Sequence, residues 1–231
     1  MAKENFGMVD WDQPKFGKST KEDSKVEFMK LANGVNKLRL LTKPFQYDTW
    51  LGFKPTENIP EGRNKYGERL LSSIFHGKDP LMEAPWNLER PTRRWLCGII
   101  DLNTSSYKIL DLSSSIFKKL QNLNKIKGDV TSYDIAIVKD TNQPPASYYD
   151  VLPLDTRPLT GAEIELREGI DYDDLKRRVQ PPTYDQVKDR LDKILVLWGV
   201  SAQNKTPKIG NSAAKGGDIE AADDDTDFPS A

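Results

Sequence analysis

Residues 93–120 read RRWLCGIIDLNTSSYKILDLSSSIFKKL and carry three kinds of local order in succession. Residues 95–101 are an extended apolar run, Asn103, Thr104, Ser105 and Ser106 are a turn-prone cluster, and residues 107–112 are a second extended run, which predicts an antiparallel hairpin. Ser113 or Ser114 can then cap a helix, because a serine oxygen accepts from an early helical N–H. Behind that cap Ile116, Phe117, Leu120 and Leu123 recur at helical spacing, with Lys118 and Lys119 on the far face.

Upstream, VEFMKLANGVNKLRLL (residues 26–41) places extended runs on either side of Asn33-Gly34, a two-residue hairpin signal. In its second half Leu38 and Leu40 alternate with Lys37 and Arg39, which predicts an apolar row on one face and a basic row on the other. Residues 45–53 give a third extended piece. From 54 to 94 the periodicity fails: five prolines and a basic set including Arg63, Lys65, Arg69, Lys78, Arg90, Arg93 and Arg94 make a long basic excursion. Loops of that length inside a compact domain are usually functional.

Downstream, Tyr133, Ile135 and Ile137 alternate as a strand, and residues 148–152 give another after Pro144-Pro145. Thr183 and Gln186 then make a capping-box pair; Val187, Leu191, Ile194, Leu195 and Trp198 form one apolar face, and Gly199 stops the helix. This order predicts a mainly β fold with α, an OB-fold-like small Greek-key barrel with a long basic insertion and a C-terminal helix. More than five extended pieces are present, so some of the first three are expected to form a single bent strand pair.

The net charge of −1 hides a split: residues 216–231 carry Asp218, Glu220, Asp223, Asp224, Asp225 and Asp227 and no Lys or Arg, which leaves +5 on the rest. Residues 201–217 are small, polar and Gly-containing, as flexible linkers are. The predicted division is a polar N-terminal arm at 1–24, a binding domain with its terminal helix at 25–199, and a linker with an acidic tail at 200–231. No stretch has the apolar length of a signal peptide or a membrane span, so a soluble protein that stays where it is made is expected.

One His and one Cys exclude an intrachain disulfide and a Cys/His zinc cluster. His76 lies in a loop without a nearby nucleophile motif, Cys97 sits mid-strand as a small hydrophobe, and no phosphate-binding glycine motif occurs. Asp171, Asp173 and Asp174 precede Lys176, Arg177 and Arg178 in the order that complements a helix dipole, a better reading than a metal site. No enzyme activity, cofactor or metal is expected.

Binding of nucleic acid fits better. Cations interleave with aromatic rings at Lys37, Arg39, Trp50, Phe53, Lys54, Arg63, Lys65, Tyr66, Arg69, Arg93, Arg94, Trp95, Tyr107 and Lys108. Single strands need that combination, because cations follow phosphates while rings stack on unpaired bases. The tail segment Asp223, Asp224, Asp225, Asp227, Phe228 and Pro229 combines carboxylates with one ring, a pattern that suits a basic pocket on a partner protein. It could also compete for a basic groove until nucleic acid displaces it.

The stretches LRLLTKPFQYDTWLGF (38–53), residues 93–120 and YDIAIVKD (133–140) resemble the replicative single-stranded DNA-binding, helix-destabilising proteins of tailed bacteriophages. The resemblance implies an OB-fold that clamps single-stranded DNA, with contacts at Arg39, Trp50, Arg93, Arg94 and Trp95. It also implies a tail that contacts replication or recombination proteins, self-association through a basic segment similar to Lys18, Ser19, Thr20 and Lys21, and a place in the host cytoplasm. The best-known member of that family has a Cys/His zinc site that this sequence cannot form, so its binding lobe must be held by something else or be looser. The alternative is an OB-type adaptor that recruits a polymerase or nuclease, in transcription for instance, with weak DNA affinity.

Overall fold

A computed structural model of the chain describes residues 26–200, the side chain of Ala146 excepted. In chain order the elements are β1 (Gly34–Leu40), β2 (Phe45–Phe53), β3 (Glu68–Leu71), β4 (Thr92–Asp101), β5 (Ser106–Leu112), α1 (Ser114–Lys127), β6 (Ile135–Lys139), β7 (Tyr149–Pro153), α2 (Gly161–Glu168), α3 (Tyr172–Val179) and α4 (Tyr184–Leu197). Three short 3₁₀ turns, at Ile74–His76, Pro80–Met82 and Pro145–Ser147, complete them. The described residues group into two units, 26–46 with 94–180 and 47–93 with 181–200.

In the first unit the predicted hairpin is β4 and β5, antiparallel from Trp95 opposite Leu112 to Asp101 opposite Ser106. On its other side β4 pairs with β1, and β1 pairs in turn with β6, so that Leu38 faces Asp101 and Ile135. β6 pairs with β7. All these ladders are antiparallel and their order is β5-β4-β1-β6-β7; no pairing among the described residues joins β5 to β7, so this sheet is open. Ser113 caps α1, and Ile116, Phe117 and Leu120 go into a core with Leu38, Leu40, Cys97, Ile99, Leu110, Leu112, Tyr133, Ile135 and Ile137. Each such buried side chain contributes about 1.5–3 kcal/mol.

The second unit is built from the 54–94 excursion, most of β2, and α4. The excursion is not structureless: its Glu68–Leu71 segment, for which the sequence shows no alternation, is β3 and pairs with β2 as Leu70 opposite Trp50. The predicted capping box holds the start of α4. Its Leu191, Ile194 and Leu195, with Trp198, pack on Trp50, Phe53, Leu70, Leu81 and Trp86.

Two sequence expectations are corrected. Asn33-Gly34 makes no hairpin, because the Asn36 side chain takes the Ala32 N–H at 2.9 Å and donates to the Ala32 carbonyl at 2.8 Å, closing a local turn in place of a paired strand. Residues 27–29 lie along the edge of β5 instead, through a parallel bridge between Phe28 and Ile109. The chain after β7 holds α2 as well as the short helix expected from Asp171 onward; Thr160 and Glu163 form a second capping box that the sequence reading missed.

Candidate nucleic-acid interface

The residues expected to contact nucleic acid divide by burial into groups with different work to do. Arg39, expected on an exposed basic row, is 3% exposed. Its Nη1 lies 3.1 Å from Asp134, its Nε donates to the Thr131 carbonyl, and Asp134 also takes Arg157 Nε at 2.7 Å. Arg157 grips Glu163 with both terminal nitrogens, at 2.6 and 2.7 Å. That two-pronged hydrogen bond, against the cost of desolvation, holds the Glu163 carboxyl down at about 2. The expected exposed position of Arg39 is therefore corrected: its guanidinium is enclosed with its carboxylate partner in the folded chain.

Trp95 is enclosed as well. It is 7% exposed and stacks on Phe117 with centroids 4.0 Å apart and planes 10° from parallel. Its buried Nε1–H finds no acceptor among the described residues. Trp50 and Phe53 belong to the core of the second unit: the Trp50 Nε1–H donates to Asp79, and the Phe53 ring meets Trp86 edge-on at 5.1 Å. Rings so enclosed present no face to a base.

Of the remaining residues in the first unit, Lys37 is exposed, Arg94 Nε is 3.1 Å from Asp111, and Lys108 Nζ is 3.1 Å from Asp101. Tyr107 is half-buried and burial pushes its hydroxyl up. Its ring lies on the β4 backbone at Gly98, where an added Cβ would come within 2.8 Å of it. Of these four, Lys37 alone is exposed.

Apart from Lys37, the exposed members lie in the second unit. Lys54 and Lys65 are exposed, Arg63 is half-exposed, and Tyr66 is 50% exposed with the Lys65 ammonium 4.8 Å above its ring centre. Arg69 leans over Tyr47, its guanidinium carbon 5.4 Å from the ring centre, and Arg93 Nε sits 3.1 Å from Asp48. Tyr66 owes its position to its backbone. Its N–H donates to Asn64 Oδ1 at 3.0 Å, and the Gly67 N–H donates to the Asn64 carbonyl at the same distance. Gly67 has φ +91°, and a Cβ there would stand 2.7 Å from the Gly52 carbonyl carbon, so only glycine lets the loop close this tightly onto β2. The loop thus ends on a fixed tyrosine with a lysine over it.

Net charge alone does not mark this surface, since residues 54–94 hold eight Lys and Arg against six Asp and Glu. Placement does. Phe75, which the sequence reading passed over, is 49% exposed on the same excursion. The available signal was a ring in FHGKDP, where Gly77 reverses the chain with φ +88° and Asp79-Pro80 starts the next turn.

The chain is similar to a "Probable ssDNA-binding protein" of Escherichia phage T5. The two are 24% identical over 244 residues, which span 87% of this chain and 94% of the phage protein. No protein-family model matches the chain, and no solved structure matches it. No helix among the described residues is long and apolar enough to cross a membrane. Lys18 to Lys21 and Asp223 to Pro229, assigned to self-association and to partner proteins, lie outside the described residues.

Proposed function

We propose that this protein binds single-stranded DNA with little dependence on sequence, without catalysis, through the outward side of the 54–93 excursion. The observation that carries this reading is Tyr66: a half-exposed ring anchored by the Gly52–Gly67 contact, with an ammonium above it and further cations in the same unit. An exposed ring supplies a stacking face and the cations supply phosphate neutralisation. The T5 relative, matched along most of both chains, is named for the same ligand.

An OB-type scaffold agrees with the strand order. β1 pairs with both β4 and β6, and α1 falls between the third and fourth of the first unit's five antiparallel strands, which supports a Greek-key scaffold of that kind. Coating of replication or recombination intermediates in a phage-infected host cytoplasm, with the tail as the contact for partner proteins, is the biological role that follows.

Titration with a short oligothymidine at two salt concentrations tests the reading. Sub-micromolar binding is expected, with log affinity falling against log salt by about 0.7 for each phosphate contacted. Absence of binding below micromolar would overturn it in favour of an adaptor, and cleavage of a labelled strand with Mg²⁺ would overturn the non-catalytic part.

A further inference from the structure

The second unit holds another ring-bearing turn, built around a buried carboxylate. Asp79 is 1% exposed and accepts from the Ser72 hydroxyl at 2.6 Å, the Ser73 N–H at 2.8 Å, the Leu81 N–H at 2.9 Å and the Trp50 indole N–H at 3.1 Å. The Ser73 hydroxyl donates to the Lys78 carbonyl at 2.7 Å, which ties the two ends of the turn together. Between them the His76 N–H reaches the Ser73 carbonyl and the Gly77 N–H reaches the Ile74 carbonyl, both at 2.8 Å. A carboxylate satisfied by four donors fixes its surroundings, because releasing any donor leaves a charge buried with less compensation.

What this clamp presents is a phenyl ring, an imidazole and an ammonium. Phe75 is 49% exposed, His76 meets it edge-on at 5.4 Å, and Lys78 is exposed two residues further on. Isolated exposed apolar residues are common and need no explanation. Here the ring stands on a hydrogen-bonded turn that also carries an exposed lysine three positions on, a ring and a cation on one short segment as at Lys65-Tyr66. Tyr66 precedes β3 by two residues and Phe75 follows it by four, with Arg69 in the strand between them. Four residues of strand measure roughly 13 Å, enough for more than one nucleotide.

We propose that Phe75 is a second base-stacking residue, and that one single-stranded segment runs along β3 from Tyr66 to Phe75 with Lys78 on its phosphates. This inference rests on the single-strand reading of the same unit and gives it a path.

Oligothymidines of increasing length, titrated against the full chain and its Phe75→Ala, Phe75→Leu and Phe75→Trp variants, test it. Phe75→Ala and Phe75→Leu should weaken binding of the longer oligonucleotides about 5- to 150-fold. They should leave the thermal unfolding midpoint and the affinity for the shortest oligonucleotides unchanged, because those can use Tyr66 alone. Phe75→Trp should keep full affinity and gain a fluorescence signal that is quenched on binding. Lys78→Ala should reduce the salt slope by about 0.7. If the unaltered chain fails to bind any of them, the single-strand reading falls and this inference with it. If it binds and Phe75→Ala binds equally well at every length, only the inference is overturned.

Discussion

Arg94-Trp95 and Lys65-Tyr66 look alike in the sequence, each a cation followed by a ring, yet they end in opposite surroundings. Trp95 stands in β4 and turns inward onto Phe117, while Arg94 is held by Asp111. Tyr66 ends a loop that glycine lets close on β2, and its ring stays half in water under Lys65. Alternation in a strand sends successive side chains to opposite faces of the sheet, and burial of one face claims the ring for the core. A loop end has no such obligation. The contrast is one of burial: Trp95 is enclosed in the first unit, while Tyr66 and Lys65 stand exposed in the second.

Substitution of the two rings should separate these roles. The largest effect is expected from Trp95→Ala, which removes a packed core ring and should cost about 3–5 kcal/mol in denaturant unfolding. A Trp95→Ala protein of unchanged stability and impaired oligonucleotide binding would erase the contrast. Tyr66→Ala should do the reverse, weakening oligothymidine binding by about 1–3 kcal/mol while moving unfolding by less than about 0.5 kcal/mol. A Tyr66→Ala protein that unfolds early would make that ring structural too.

Acid should act on the first unit through Glu163. Its folded-state carboxyl is held at about 2 against an ordinary 4.5, so its stabilising contribution is complete above 4.5 and is lost as pH falls from there toward 2. Glu163→Gln should flatten that part of the stability profile, measured by denaturant unfolding at a series of pH values, and an unchanged acid limb would remove Glu163 from its cause. The smallest effect belongs to Lys65→Ala. Its salt slope should drop by about 0.7 with stability unaltered, and a slope equal to that of the unaltered chain would mean that Lys65 meets no phosphate.

The second unit draws its core from residues far apart in the sequence. Its fixed points are an apolar core of Trp50, Phe53, Trp86 and the α4 residues, together with the four hydrogen bonds to Asp79. The sequence separates these residues by up to about 150 positions, and no periodicity links an excursion rich in proline to a helix that follows so much later. The assignment of 54–94 to a long basic insertion and of α4 to a C-terminal helix therefore did not reveal that they share a core.

What the sequence determined by itself is local: the β4–β5 hairpin, the Ser113 cap of α1, the dipole-matched charges of α3 and the capping box of α4. Each depends on residues within a few positions of one another, where propensity and hydrogen-bonding reach are short. Tertiary structure decided the rest. It replaced the Asn33-Gly34 hairpin by Asn36 side-chain bonds, took Arg39 and three of the predicted rings into the interior, and left Tyr66 and Phe75 outside. Whether a ring ends in a core or in water depends on which distant side chains arrive to cover it, and that is a property of the assembled chain.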